Sequence, residues 1–180
     1  MALPPACATP VNPSQAITLG SLLIPFRPPT PPTRLQEGYK LCVESWPEAD
    51  DLNRLITAEG DPARPPERWH RVLESSLWHL GVQNPQGTLV GFVRATSDLA
   101  LNANLWDLSS DPNEPAQDMV ILALVQAAMA RLRRELSGCS VSLSAPPRAL
   151  AALERQGFIV DPGGIRAMGL KLSAQGSAHP

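Results

Sequence analysis

Proline placement divides this chain more sharply than any other feature. Nine of its 20 prolines fall in residues 1–36: Pro4, Pro5, Pro10, Pro13, Pro25, Pro28, Pro29, Pro31 and Pro32. Proline lacks an amide hydrogen and biases its predecessor toward extended backbone, so this density disfavours both helix and central strand. Residues 1–36 are therefore expected to form a proline-rich N-terminal extension, partly disordered. The run Arg27-Pro28-Pro29-Thr30-Pro31-Pro32-Thr33-Arg34 suits a polyproline II segment. It is either a stiff linker or a ligand for an aromatic groove on a protein partner. Ile17, Leu19, Leu22, Leu23, Ile24 and Phe26 are too apolar for linker alone and are expected to pack on the domain or on a partner.

The rest reads as one domain, 37–172, with a small polar C-terminal tail, 173–180. At 43% hydrophobic residues a packed core is feasible. A net charge of -2 gives no basic excess of the kind nucleic-acid binders carry, so no nucleic-acid partner is expected. The longest apolar stretches, 119–125 and 16–26, fall short of the roughly 18–20 residues a bilayer span needs. Arg27 is the first basic residue, which supports neither a secretory signal nor a transit peptide. Cys7, Cys42 and Cys139 are odd in number and widely spaced, which suits a reducing compartment better than a disulfide framework.

Periodicity places the elements. Tyr39, Leu41 and Val43 alternate with polar residues, as in a half-buried strand. Trp46-Pro47-Glu48 opens a helix with Leu52, Leu55 and Ile56 on one face, and Pro65-Pro66-Glu67 opens a second carrying Trp69, Val72, Leu73 and Leu77. The chain turns extended at 78–82, turns at Asn84-Pro85-Gln86-Gly87, and continues as strands over 88–96 and 103–109. A long helix covers 116–136. A strand over 139–144, a short helix over 147–156 and two last strands, 158–160 and 165–171, complete the order β-α-α-β-β-β-α-β-α-β-β. Mixed strands with interspersed helices imply an α/β fold around one central sheet. His70 and His79 have no Cys, Asp or Glu at metal-ligand spacing, so no metal site is expected. Trp46, Trp69 and Trp78 read as packing residues between the first helices and the sheet.

Two segments carry chemical information. One is Arg94-Ala95-Thr96-Ser97-Asp98-Leu99-Ala100-Leu101-Asn102-Ala103-Asn104-Leu105-Trp106-Asp107 followed by Asp111-Pro112. The other runs from Ser140 through Gln156-Gly157-Phe158 to Asp161-Pro162-Gly163-Gly164-Ile165-Arg166-Ala167-Met168. Over about residues 38–172 the chain resembles the plastid and cyanobacterial branch of the GNAT N-acetyltransferases. The resemblance implies a GNAT-like acyl-CoA N-acyltransferase fold, a central mixed sheet flanked by helices. It implies that the strand ending at Leu108-Ser109-Ser110 splays from the next one and admits the pantetheine arm of acetyl-CoA. It also implies that Gln117, Met119 and Val120, at the start of the long helix, hold the cofactor's pyrophosphate. Asp107 is then the candidate general base, and the three tryptophans are candidate walls of an acceptor pocket. Asp98, after Thr96-Ser97, is an alternative base, or a turn residue capping its own backbone. The setting that the resemblance implies is cytoplasmic, in a cyanobacterium, or the plastid stroma.

The chain departs from that family at two places. The pyrophosphate loop normally carries glycines that let the backbone approach the phosphates, with helix-start amides binding the charge. Here the segment is Asp111-Pro112-Asn113-Glu114-Pro115-Ala116-Gln117-Asp118-Met119-Val120, and no glycine occurs between Phe92 and Ser137. Pro115 removes a donor, and Asp118 stands where it can itself cap the helix. A carboxylate about 7 Å from a pyrophosphate charge costs roughly 2 kcal/mol at an effective dielectric of 20, so Glu114 and Asp118 together are expected to weaken acetyl-CoA binding. The position of the family's general-acid tyrosine, counted back from Phe158, holds Leu153. Two readings follow. In one, the module keeps the fold, has impaired or lost acetyl-CoA chemistry, and serves a partner-binding or regulatory role. In the other, it is an active acetyl-CoA-dependent N-acetyltransferase acting on a small amine or protein amino group through an atypical cofactor loop. The departures favour the first.

Overall fold

The computed structural model describes residues 34–162. Most of the N-terminal extension, the strand expected over 165–171 and the tail at 173–180 lie outside the described residues. The expected strand over 158–160 is not formed, and its hairpin partner falls outside this range. Leu35 already packs on the core, and the Gln36 amide donates to Met119 Sδ at 3.2 Å. Among the described residues, contacts with the core thus reach back to Leu35 and Gln36.

Five strands make one sheet: β1 (Lys40–Val43), β2 (Trp78–Gln83), β3 (Leu89–Ser97), β4 (Asn102–Ser110) and β5 (Ser140–Leu143). Their spatial order is β1-β2-β3-β4-β5. The first four run antiparallel to their neighbours, while β5 lies parallel to β4. A parallel neighbour requires a crossover, and the long helix α3 (Gln117–Glu135) supplies it. No glycine or proline interrupts α3, whose sequence is rich in Ala, Leu, Met, Gln and Arg, all good helix formers. It ends at Glu135 with Leu136 as its cap, and shortly after, Gly138 takes a φ of 92°, which a side chain would resist.

The two faces of the sheet are covered separately. On one face α3 and the short α4 (Leu150–Arg155) pack against Trp78, Leu80, Val82, Val93, Ala95 and Leu105. On the other, α1 (Ala49–Ala58) and α2 (Pro66–Glu74) close a smaller core of Leu52, Leu55, Ile56, Trp69, Leu73, Leu89 and Phe92. Pro66 occupies the first turn of α2, as its missing donor permits, whereas Pro47 precedes α1 rather than entering it. Full burial of each such aliphatic or aromatic side chain contributes roughly 1.5–3 kcal/mol. Trp69 and Trp78 lie in these cores as expected. Trp46 does not: it is 55% exposed and rests on His70, with ring centroids 5.1 Å apart.

Candidate active site

The site starts from an irregularity in β4. Phe92 pairs with Ser109 and Arg94 with Trp106, so Val93 alone faces both Asp107 and Leu108. This is a bulge, and Asp107 takes a φ of 54° within it. That backbone region is costly for most side chains, though asparagine and aspartate enter it more readily than others. The Asp107 carboxylate is only 6% exposed and is held from both sides. Arg64 Nη1 donates to Oδ1 at 2.9 Å, and Arg94 Nε donates to Oδ2 at 2.6 Å. Ser109 Oγ donates to the Asp107 carbonyl at 3.0 Å.

On its other edge β4 loses its neighbour. The parallel ladder stops at Leu105 opposite Leu143, although β4 continues to Ser110. Beyond β5 the chain reads Ser144-Ala145-Pro146-Pro147 and tightens into a 3-10 turn, Pro147–Ala149. Proline cannot donate to a ladder, so β5 cannot follow β4 further. The bulge turns one strand and the prolines end the other, and the two separate. Asp107 and Leu108 have no partner residue in either ladder. A cleft of about 560 Å³ opens there between Ile56, Glu59, Asp61 and Arg64 on one side and Ser144, Ala145, Pro146 and Pro147 on the other. Arg94, Trp106, Asp107, Leu108 and Ser109 also line it. An extended ligand bearing amides can pair with a strand left open in this way.

The β4–α3 connection brings a second group of predicted residues to the end of that strand. Gln117 Nε2 reaches the Ser110 carbonyl at 3.4 Å. The Gln117 amide donates to the Glu114 carbonyl at 3.1 Å and the Val120 amide to the Ala116 carbonyl at 3.0 Å. Val120 is wholly buried, so neither its amide nor its side chain faces a ligand. Asp118 does not cap the helix. It is exposed, and α3 has Ala116 at its N-cap with no side-chain hydrogen bond. The acid turned inward is Glu114. Its Oε1 accepts Tyr39 Oη at 2.5 Å and the Ala116 amide at 3.3 Å, and its Oε2 accepts Asn84 Nδ2 at 3.4 Å. The bond to Glu114 is the main reason the Tyr39 phenol titrates above its usual range. Asp111 is paired with Arg54 and accepts the Asn113 amide at 2.9 Å. Among the described residues no acceptor engages the amides of Asp118 and Met119, which remain open donors at the positive end of a 19-residue helix.

Other residues resolve plainly. Asp98 closes the β3–β4 hairpin: its Oδ1 accepts the amides of Ala100, Leu101 and Asn102 at 2.8–2.9 Å, and these bonds hold its carboxyl far below the usual range. Leu153 is a core residue, 2% exposed, and brings no proton donor. Arg131, Arg133 and Arg134 engage Glu44, Glu135 and Gln156, away from the helix start. No group of three or more His, Cys, Asp or Glu among the described residues can hold a metal ion. No helix among them is long and apolar enough to cross a membrane. The sequence reading missed Arg64, Arg94 and Glu59. Glu59 and Arg64 come from the α1–α2 connection and Arg94 from β3, and no spacing within the chain announces their meeting.

No family model matches the chain. It is 30% identical over 131 residues to an uncharacterized N-acetyltransferase, ycf52, of the alga Gracilaria tenuistipitata, covering 71% of each chain. It is 35% identical over 130 residues to the chloroplastic serotonin N-acetyltransferase 2 of rice, covering 69% of this chain and 62% of that protein. The match thus spans under two thirds of the rice enzyme's length. Among solved structures, a probable acetyltransferase of Staphylococcus aureus superposes with a TM-score of 0.65 at 18% identity, over 74% of this chain and 99% of that one. A GNAT-family N-acetyltransferase of Escherichia coli, determined in complex with CoA, gives 0.54 at 18% identity over 72% and 73%. At such identities the structures speak for the fold. Together with the algal and plant relatives, the mixed sheet with its divided fourth and fifth strands places this chain in the GNAT N-acetyltransferase family, in the branch that holds the ycf52 proteins and the chloroplastic GCN5-related N-acetyltransferases.

Proposed function

We propose that the protein is an acetyl-CoA-dependent N-acetyltransferase that works through an atypical cofactor loop. The observation that carries this reading is the early end of the β4–β5 ladder at Leu105 and Leu143, with the cleft opening beyond it. The helix start supports it. Glu114 faces inward and Asp111 is paired with Arg54, so Asp118 is the acid left exposed beside the open amides of Asp118 and Met119. The electrostatic penalty expected from two outward carboxylates is correspondingly reduced. These features fit the cofactor. Leu108, Ser109 and Ser110 would flank its pantetheine arm, and the amides of Asp118 and Met119 would meet its pyrophosphate. Bound there, acetyl-CoA supplies a thioester acyl group for transfer to an amine. Asp107 and its two arginines fix the bulge that opens the strand, and Asp107 remains a candidate base only by release from one of them. The name of the rice relative, a chloroplastic serotonin N-acetyltransferase, favours a small amine acceptor and a plastid setting.

A second reading, a GNAT module without chemistry that binds or regulates a partner, draws on Leu153 and on Pro115, the donor missing from the loop. Calorimetric titration with acetyl-CoA decides between them. Saturable binding in the micromolar range supports the transferase. No heat at millimolar ligand overturns it in favour of the second reading.

A further inference from the structure

We infer that Glu59 is the residue that receives the acceptor amine, docking its ammonium group and taking its proton. The inference rests on the transferase reading and assigns a group that neither motif nor spacing suggested. Glu59 ends α1, with its amide tied to the Ile56 and Thr57 region through a 3.1 Å bond to the Ile56 carbonyl. Its side chain lines the cleft. Oε1 is sealed from solvent and has no hydrogen-bond donor. The nearest cation is Arg148 Nε at 3.4 Å, reaching from the 3-10 turn on the other wall. A carboxylate oxygen removed from water and facing one cation without a hydrogen bond is poorly compensated, and a ligand that supplies N–H groups to the carboxylate reduces the cost.

The other carboxylates of the cleft are committed. Both oxygens of Asp107 are taken by Arg64 and Arg94, and Asp61 is largely exposed and paired with Arg64. Trp106, 45% exposed with its Nε1 anchored on Thr96 Oγ1 at 2.8 Å, offers a flat apolar wall. The chemical class that fits is a primary amine on a short aromatic or apolar stem. Its ammonium passes one proton to Glu59, which releases it to solvent. The neutral nitrogen then attacks the thioester carbonyl carbon, the C–N bond forms and the C–S bond breaks. The second proton goes to the departing thiolate, so each transfer yields one amide, one thiol and one proton.

The test uses the full chain, phenethylamine as the probe, and the variants Glu59→Gln and Arg148→Ala. Calorimetry reads amine binding without turnover, and thiol release reads transfer from acetyl-CoA. In E59Q we expect phenethylamine binding about tenfold weaker or worse and kcat/KM lower by about 10²-fold or more. Acetyl-CoA affinity should be unchanged. R148A should keep amine binding. E59Q within threefold of the parent in both assays overturns the assignment while leaving the transferase reading intact. So does a parent that binds no phenethylamine, or an equal loss in E59Q and R148A, which would mark Glu59 as a structural ion-pair partner. Amine binding lost in E59Q, in a protein that never releases thiol from acetyl-CoA, upholds the amine site and removes the transferase reading.

Discussion

Asp107 occupies a backbone conformation that glycine would adopt more cheaply, with a φ of 54° in the middle of a sheet. What keeps aspartate there is its carboxylate, which joins Arg64 from the segment after α1 to Arg94 on β3. The arginine side chains are themselves mostly shielded, 21% and 14% exposed. Neutralising Asp107 leaves Arg94 without its ion-pair partner and Arg64 with only the exposed Asp61, which outweighs the value of the pair itself. Asp107→Asn should therefore lower stability by about 2–3 kcal/mol, read as a shift of the urea midpoint at constant m. A loss below about 0.5 kcal/mol, the ordinary scatter of surface changes, would mean that the two arginines find other partners and that the bulge does not depend on them. The geometry explains why Asp107 looked like a base in the sequence. The resemblance points to an acid near the end of this strand, but it cannot report a bulge or the two cations that converge there.

At the scale of elements, the seating of α3 on the sheet sets where its open amides point. Gly91 on β3 lies beneath the first turns of the helix. A Cβ placed there would collide with Val120 Cγ1 and come within 2.9 Å of Leu124 Cδ1. Both belong to the well-packed core face of α3, so the helix must lift rather than a side-chain tip swing aside. Gly91→Ala should cost about 1–3 kcal/mol, as overpacking does, and should weaken acetyl-CoA binding by displacing the Asp118 and Met119 amides. Unchanged affinity in a destabilised variant would show that the phosphates do not rely on the helix start. The elements themselves were largely readable. Leu52, Leu55 and Ile56 gave α1, Pro66 and Trp69 gave α2, and the glycine-free run gave α3, because helical spacing and terminal prolines are local signals. Residues 158–160 misled, since a run of three apolar residues carries too little periodicity to separate a strand from irregular chain. Asp118 misled in a different way: an acid near a helix start usually caps it, yet the turn carries Glu114 inward and gives that residue the Ala116 amide. Glu59 was invisible because its importance arises where the end of α1 faces the prolines after β5, a meeting of residues far apart in the chain.

For the molecule as a whole, one sheet serves two cores, and His79 on β2 lies between the sheet and the outer cover. It is 6% exposed, its Nε2–H donates to the Ser45 carbonyl at 3.0 Å, and its ring packs near Phe92 and Trp46. Burial is the largest influence on it and lowers its titration below the usual value of 6.5. The bond to Ser45 and the charge of Glu44 push the other way, and Arg131 adds to the lowering. Since the folded value lies below the unfolded one, the unfolded chain binds more protons between the two. The contribution of neutral His79 is therefore full above about pH 6.5 and declines as pH falls from there through the folded value. Glutamine can keep a donor for Ser45 while removing the titration. His79→Gln should lower stability somewhat at pH 7, through lost ring packing, yet flatten its decline toward pH 5. Urea midpoints of parent and variant at the two pH values check this. Parallel slopes would place the acid sensitivity elsewhere and would mean that the β1–α1 connection, tied to the sheet through Ser45, opens readily enough for His79 to meet water in the native state. That second outcome bears on function too. The same connection leads into α1, and α1 ends at Glu59, so a loose entry to the helix would leave the cleft's carboxylate less firmly set than its buried oxygen implies.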